Sequence, residues 1–146
     1  MARAITVGNG NLLVGLDYRG QVRDLYFPYV GLQNHVSGAS GSFVHRIGVY
    51  VDGRTVWLDD PSWDVHIGGD ASCAIGNMVA TNNDLGLILE SLDGVHNEQN
   101  VFLRRFTLTD TTGKARSVKL FLAQQFRIAE SRRGDTAFYD PRVKAI

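Results

Sequence analysis

Phe43-Val44-His45-Arg46-Ile47-Gly48-Val49-Tyr50-Val51, then Asp52-Gly53, then Arg54-Thr55-Val56-Trp57-Leu58: this stretch decides the fold class. Phe43, His45, Ile47, Val49 and Val51 fall on one face of an extended chain, and Val44, Arg46, Gly48 and Tyr50 on the other. A period of two marks a β-strand with one buried face. Both residues of the Asp-Gly pair tolerate the positive φ of a tight two-residue turn. The run from Thr55 to Leu58 then returns as a second strand, so the stretch predicts a β-hairpin.

The same signals recur on both sides. Toward the N-terminus, Leu12 to Leu16 is a short apolar run after the turn-like Gly8-Asn9-Gly10-Asn11. Val22 to Tyr29 reads as the next strand, stopped near Pro28, with Tyr26 and Pro28 on one face and Phe27 and Tyr29 on the other. Residues 31–42, rich in Gly, Ser, Asn and Ala, read as a loop. Toward the C-terminus, residues 59–76 read as irregular. Asn77 to Thr81 and Leu85 to Leu92 form a second hairpin around Asn82-Asn83-Asp84. Val101 to Thr109 places Phe102, Arg104, Phe106 and Leu108 on one face, and Ser117 to Ala129 alternates after the turn Asp110-Thr111-Thr112-Gly113. No window carries a helical period with caps at both ends. The expectation is an all-β chain, an antiparallel β-sandwich. Val143 and Ile146 resemble the start of another strand, so the native polypeptide is expected to continue past Ile146. A sheet cut there would expose an edge prone to self-association.

Composition narrows the function. The 146 residues suit one domain with a real core, and 44% hydrophobic against 21% charged residues is ordinary for a globular protein. A formal net charge of zero offers no basic excess for phosphates, so nucleic acid is not an expected partner. No apolar run reaches the roughly 20 residues of a membrane helix, and no signal-peptide core is visible, so the expected location is cytoplasmic. Cys73 stands alone, which excludes an internal disulfide. His35, His45, His66 and His96 show no tight ligand spacing, so neither metal nor cofactor is expected. There is no Gly-x-Ser-x-Gly elbow and no dinucleotide-loop glycine spacing. Arg133-Gly134-Asp135 reads as an ordinary loop tripeptide.

One set of residues goes further. Gly8-Asn9-Gly10-Asn11-Leu12-Leu13-Val14-Gly15-Leu16-Asp17, Gly20, and Val22-Arg23-Asp24-Leu25-Tyr26-Phe27-Pro28-Tyr29-Val30-Gly31 resemble the start of prokaryotic glucoamylase-like enzymes. These belong to glycoside hydrolase family 15, which includes glucoamylases, glucodextranases and some trehalases. Asn34-His35, the hairpin through Tyr50 and Trp57, Asn97-Glu98 before Phe102-Leu103-Arg104-Arg105, and Thr136-Ala137-Phe138-Tyr139-Asp140-Pro141 extend the likeness over nearly the whole chain. The most specific part is Asp-Leu-Tyr-Phe-Pro-Tyr at 24–29.

The resemblance implies a large N-terminal β-sandwich, part of a supersandwich, followed by an (α/α)6 barrel. In the family, the barrel holds two glutamates for inverting hydrolysis of α-glucosidic bonds. The chain would then be the leading part of the sandwich domain, non-catalytic, packed on the barrel of the same polypeptide and meeting an α-glucan or oligosaccharide only indirectly. No catalytic residue carries over. Tyr26, Tyr29, Asn34 and His35 are the candidates for an interdomain or substrate-rim surface. Asp59, Asp60 and Asp64, flanked by Trp57 and Trp63, make a weaker candidate sugar contact, since aromatic faces stack on pyranose rings and carboxylates accept hydroxyl hydrogen bonds. The plainer reading of that group is a solvated loop beside two packed tryptophans. A free-standing carbohydrate-binding or interaction module is the alternative, and a complete small enzyme a distant third.

Overall fold

The computed structural model describes residues 3–36, 45–70, 72–130 and 139–145. Ten strands follow one another: β1 (Ile5–Gly8), β2 (Leu13–Leu16), β3 (Val22–Tyr26), β4 (His45–Val51), β5 (Arg54–Trp57), β6 (Asp64–Asp70), β7 (Ile75–Asn82), β8 (Leu87–Val95), β9 (Phe102–Asp110) and β10 (Val118–Gln124). Among the described residues, one short 3-10 turn, Ile128–Glu130, comes after them. No α-helix occurs among the described residues. None of their helices is long and apolar enough to cross a membrane. The fold is all-β and antiparallel, as the alternation predicts.

The strands form three sheets, ordered β1-β2-β3, β10-β4-β5 and β6-β7-β8-β9. The predicted hairpin closes as read: Val51 pairs with Arg54, and Asp52 and Gly53 hold φ of 51° and 79°. The four-stranded sheet is the base. Its inner face carries Met78 and Ala80 of β7 and Leu87 and Leu89 of β8. Half of that face packs against Ile47, Val49 and Val51 of β4, with Leu58 and Trp63 closing the core. The other half meets Val7, Val14, Leu16 and Val22 of the β1-β2-β3 sheet, with Ile67, Val95 and Phe102 at the contact. Two small sheets thus tile one large one, and each buries the apolar positions of its period-two pattern. Glycine permits the second contact: a Cβ at Gly76 would stand 3.2 Å from the Ile5 side chain.

Three expectations need correction. Residues 59–76 contain a regular strand, β6, whose Gly68-Gly69 pair hides the alternation. The strand read as Val22–Tyr29 ends at Tyr26, because Pro28 offers no N–H to a ladder and Leu32 N already turns back to Tyr29 O. The run read as Ser117–Ala129 leaves the ladder after Gln124, because Arg127 N donates to His35 O instead. β1 was not anticipated at all, being four residues long with one fully buried side chain. Phe43, Val44, most of the 31–42 loop, Arg133-Gly134-Asp135 and Thr136-Ala137-Phe138 lie outside the described residues.

Candidate functional site

The end of β3 is held by a buried polar cluster. Asp24 and Asn34 are both buried. Asn34 Nδ2 donates to Asp24 Oδ1 at 2.6 Å, while Asn34 Oδ1 accepts from Leu25 N and Val36 N, each at 3.1 Å. Arg3 completes the cluster by an ion pair to Asp24. His35 then ties two distant segments together. Its Nδ1 accepts from Ala129 N at 2.9 Å, so the proton sits on Nε2, which donates to Phe27 O at 2.7 Å. Its backbone joins Leu25 O and Arg127 N. The 27–34 turn is therefore fixed at both ends while its tip faces solvent. Phe27, Tyr29, Val30 and Leu32 are all exposed, Tyr29 by 68% and Leu32 by 70%.

Beside this turn the sandwich opens. A cleft of about 360 Å³ lies between Leu12, Phe27, His35, Phe102, Phe126 and Ile128. It shares Leu25, Phe102 and Phe126 with a second cleft of about 300 Å³ that reaches His45, Gln21 and Arg104. Among the described residues, neither cleft is lined by an Asp or Glu. His45 is buried, and desolvation pushes its pKa down to about 4, against the opposing effect of a hydrogen bond to the Gln125 backbone. Nearby Arg104 and Arg23 lower it further, so the imidazole is neutral near pH 7. Its edge meets the Phe126 ring at 5.0 Å between centroids. Among the described residues, buried Gln21 Nε2 and His45 Nε2 have no hydrogen-bond partner.

The carboxylates around these clefts are engaged by arginines: Asp17 with Arg23, Asp59 with Arg46, and Asp93 with Arg104. Among the described residues, no three His, Cys, Asp or Glu side chains group so as to hold a metal ion.

The chain is thus an all-β scaffold with apolar clefts and arginine-bound carboxylates. This chain is similar to an uncharacterized glycosyl hydrolase, MJ1610, of Methanocaldococcus jannaschii, with 28% identity over 125 residues. The chain is related to a glycosyl hydrolase. The likeness covers 86% of this chain but 19% of the relative, so the chain spans about a fifth of that hydrolase. No family model matches, and no solved structure matches.

Against the hydrolase relationship, the sequence candidates divide. Tyr29 and His35 lie at the exposed turn and the adjoining cleft. Tyr26 is half-buried at the end of β3, paired with Asn34. Asn34 is buried inside the clamp and presents no amide to solvent. The tryptophan group does not converge. Trp63 is buried in the core, 3% exposed, and offers no ring face to a sugar. Trp57 lies across Gly48 and under the Arg46 guanidinium, 4.3 Å from its ring centroid. Arg46 in turn holds Asp59 at 3.0 Å. Asp60 caps a turn through Ser62 N, whose hydrogen bond lowers its pKa, and Asp64 points to solvent beside His66. Gln21, His45 and Phe126, which face the second cleft, carried no motif; only the placement of distant strands brings them together.

Proposed function

We propose that this chain is the leading, non-catalytic part of the N-terminal β-sandwich of a glucoamylase-like glycoside hydrolase of family 15. The parent enzyme hydrolyses α-glucosidic bonds with inversion, and its two glutamates stand on an (α/α)6 barrel of the same polypeptide. Inversion requires two carboxyls roughly 6.5–9.5 Å apart around a water. The observation that carries the reading is that, among the described residues, no carboxylate lines the two joined clefts, while Asp17 and Asp93 beside them are held by arginines. The likeness to part of a longer glycosyl hydrolase supports it.

The surface for the barrel is the turn bearing Phe27, Tyr29, Val30 and Leu32, with Phe126 and Ile128 beside it. These large apolar groups are exposed on a backbone already fixed by Asn34 and His35, so docking orders little further chain. Removing such area from water contributes about 25 cal/mol per Å² before association costs. Tyr29 and His35 would then stand at the rim of the barrel's pocket.

The test uses maltose, isomaltose and trehalose. The purified chain should release no glucose from any of them, while the longer polypeptide with its barrel should. In that longer enzyme, Tyr29→Ala with Leu32→Ser should lower the unfolding temperature of the barrel. Turnover by the isolated chain would end the reading.

A further inference from the structure

The inner side of the sandwich holds two core clusters, both touched by Ile67. The cleft of about 300 Å³ takes its walls from both. Ile47 and Phe106 line it from the cluster around β4, and Val22, Leu25 and Phe102 from the cluster around β2. Protein interiors are close-packed, so a gap of this size between layers marks a core that is not yet filled. β10 shows the same break along its length. Its inward residues Val118 and Leu120 pack on the first cluster, whereas Leu122, next in that row, is 47% exposed and lines the cleft. Phe126, 44% exposed, lines both clefts.

The same wall carries two polar side chains with unmet needs. Gln21 Oε1 accepts from Arg23 Nη2 at 3.3 Å, which leaves Nε2 as the donor without a partner among the described residues. His45 bonds to the Gln125 backbone, and its Nε2 likewise has no partner among them. Buried polar atoms are paired in finished structures. The chain matches 19% of a longer glycosyl hydrolase, so about four-fifths of such a polypeptide lies outside the match. A gap between two layers of one domain is where a chain packs its own apolar side chains. We propose that this cleft is the seat of a segment of the same polypeptide that follows Ile146. The segment lays apolar side chains on Ile47, Phe102, Phe106 and Leu122 and joins the two clusters into one core. It also brings a hydroxyl or an amide to Gln21 and His45. The inference rests on the reading of this chain as the leading part of a longer sandwich.

The experiment places a thiol in the cleft of the longer polypeptide, as Leu122→Cys, and follows labelling of the peptide that carries it. Labelling should run at least about a hundredfold slower in the native polypeptide than in the same polypeptide unfolded in urea. Circular dichroism checks the fold, and Phe126→Cys supplies the same readout where Leu122→Cys fails to fold. Photo-activated p-benzoylphenylalanine in place of Leu122 should cross-link to a peptide that follows Ile146 and precedes the barrel. Replacing the polar side chain of that peptide by an apolar one should speed labelling about fivefold or more. Rapid labelling of the native polypeptide means an open, water-filled cleft and overturns the proposal. So do cross-links confined to the barrel, to a second copy or to the first 146 residues. Protection that vanishes when a bound small molecule is dialysed away overturns it too. Glucose release from maltose is read on the same preparation. Protection without glucose release keeps this inference and removes the glucoamylase reading; rapid labelling with glucose release does the reverse.

Discussion

Arg104 on β9 and Asp93 on β8 stand directly opposite each other in the ladder, and Arg104 Nε reaches Asp93 Oδ1 at 2.5 Å. The same guanidinium donates to Gly20 O, 84 residues away, at 2.7 Å. Asp93 is 1% exposed and also accepts from Ser91 Oγ. The pair sits where all three sheets converge. Asp93→Ala strands a mostly buried cation and should cost about 3–5 kcal/mol in urea unfolding. Asp93→Leu with Arg104→Met should cost clearly less than the two single changes added together, because neither charge is left alone.

His45 gives the fold an acid sensitivity. Its folded pKa of about 4 lies below the unfolded value of 6.5, so the unfolded chain binds more protons between those pH values. Stability is therefore full above the unfolded pKa, falls as pH drops toward 4, and levels off below it. The loss should reach at most roughly 3 kcal/mol. His45→Gln should flatten that part of the curve, measured by urea titrations from neutral pH to pH 4.

Asn34 stabilises by satisfying buried backbone. Asn34→Ala leaves Leu25 N and Val36 N without their acceptor and should cost about 1–3 kcal/mol. The loosened 27–34 turn should show faster amide exchange, while exchange in β7 and β8 should hardly change.

Gly48 is a packing position. A Cβ there would approach Trp57 Cε3 to 2.7 Å, and the ring is also held by Arg46. Gly48→Ala should displace the indole, shift the tryptophan emission and destabilise by about 1–3 kcal/mol.

The strands whose apolar faces are long and regular were readable from residues alone. β4, β8 and β9 alternate over seven to nine positions, and the Asp52-Gly53 turn has the chemistry its φ values need. β6 and β1 were not readable. In β6 a glycine pair replaces the side chains that would show the period, and a Cβ at Gly68 would stand 2.8 Å from Asn77 Oδ1 on the neighbouring strand β7, a closeness visible only once the strands are paired. The site was half legible. Asn34 and His35 stood out in a motif, yet one proved a buried clamp and the other a bridge between segments. The Trp57–Trp63 group looked like a sugar platform because adjacency in sequence hides that Trp63 points into the core.

Local periodicity and turn chemistry set the class of this protein, since each strand's two faces and each hairpin's φ angles depend on neighbours a few positions away. Which edges stay open, where the clefts fall and which carboxylates are bound by arginine were decided by tertiary contacts. Those contacts join residues as far apart as Gly20 and Arg104, and the fit of one sheet against another is written in no single stretch of the chain.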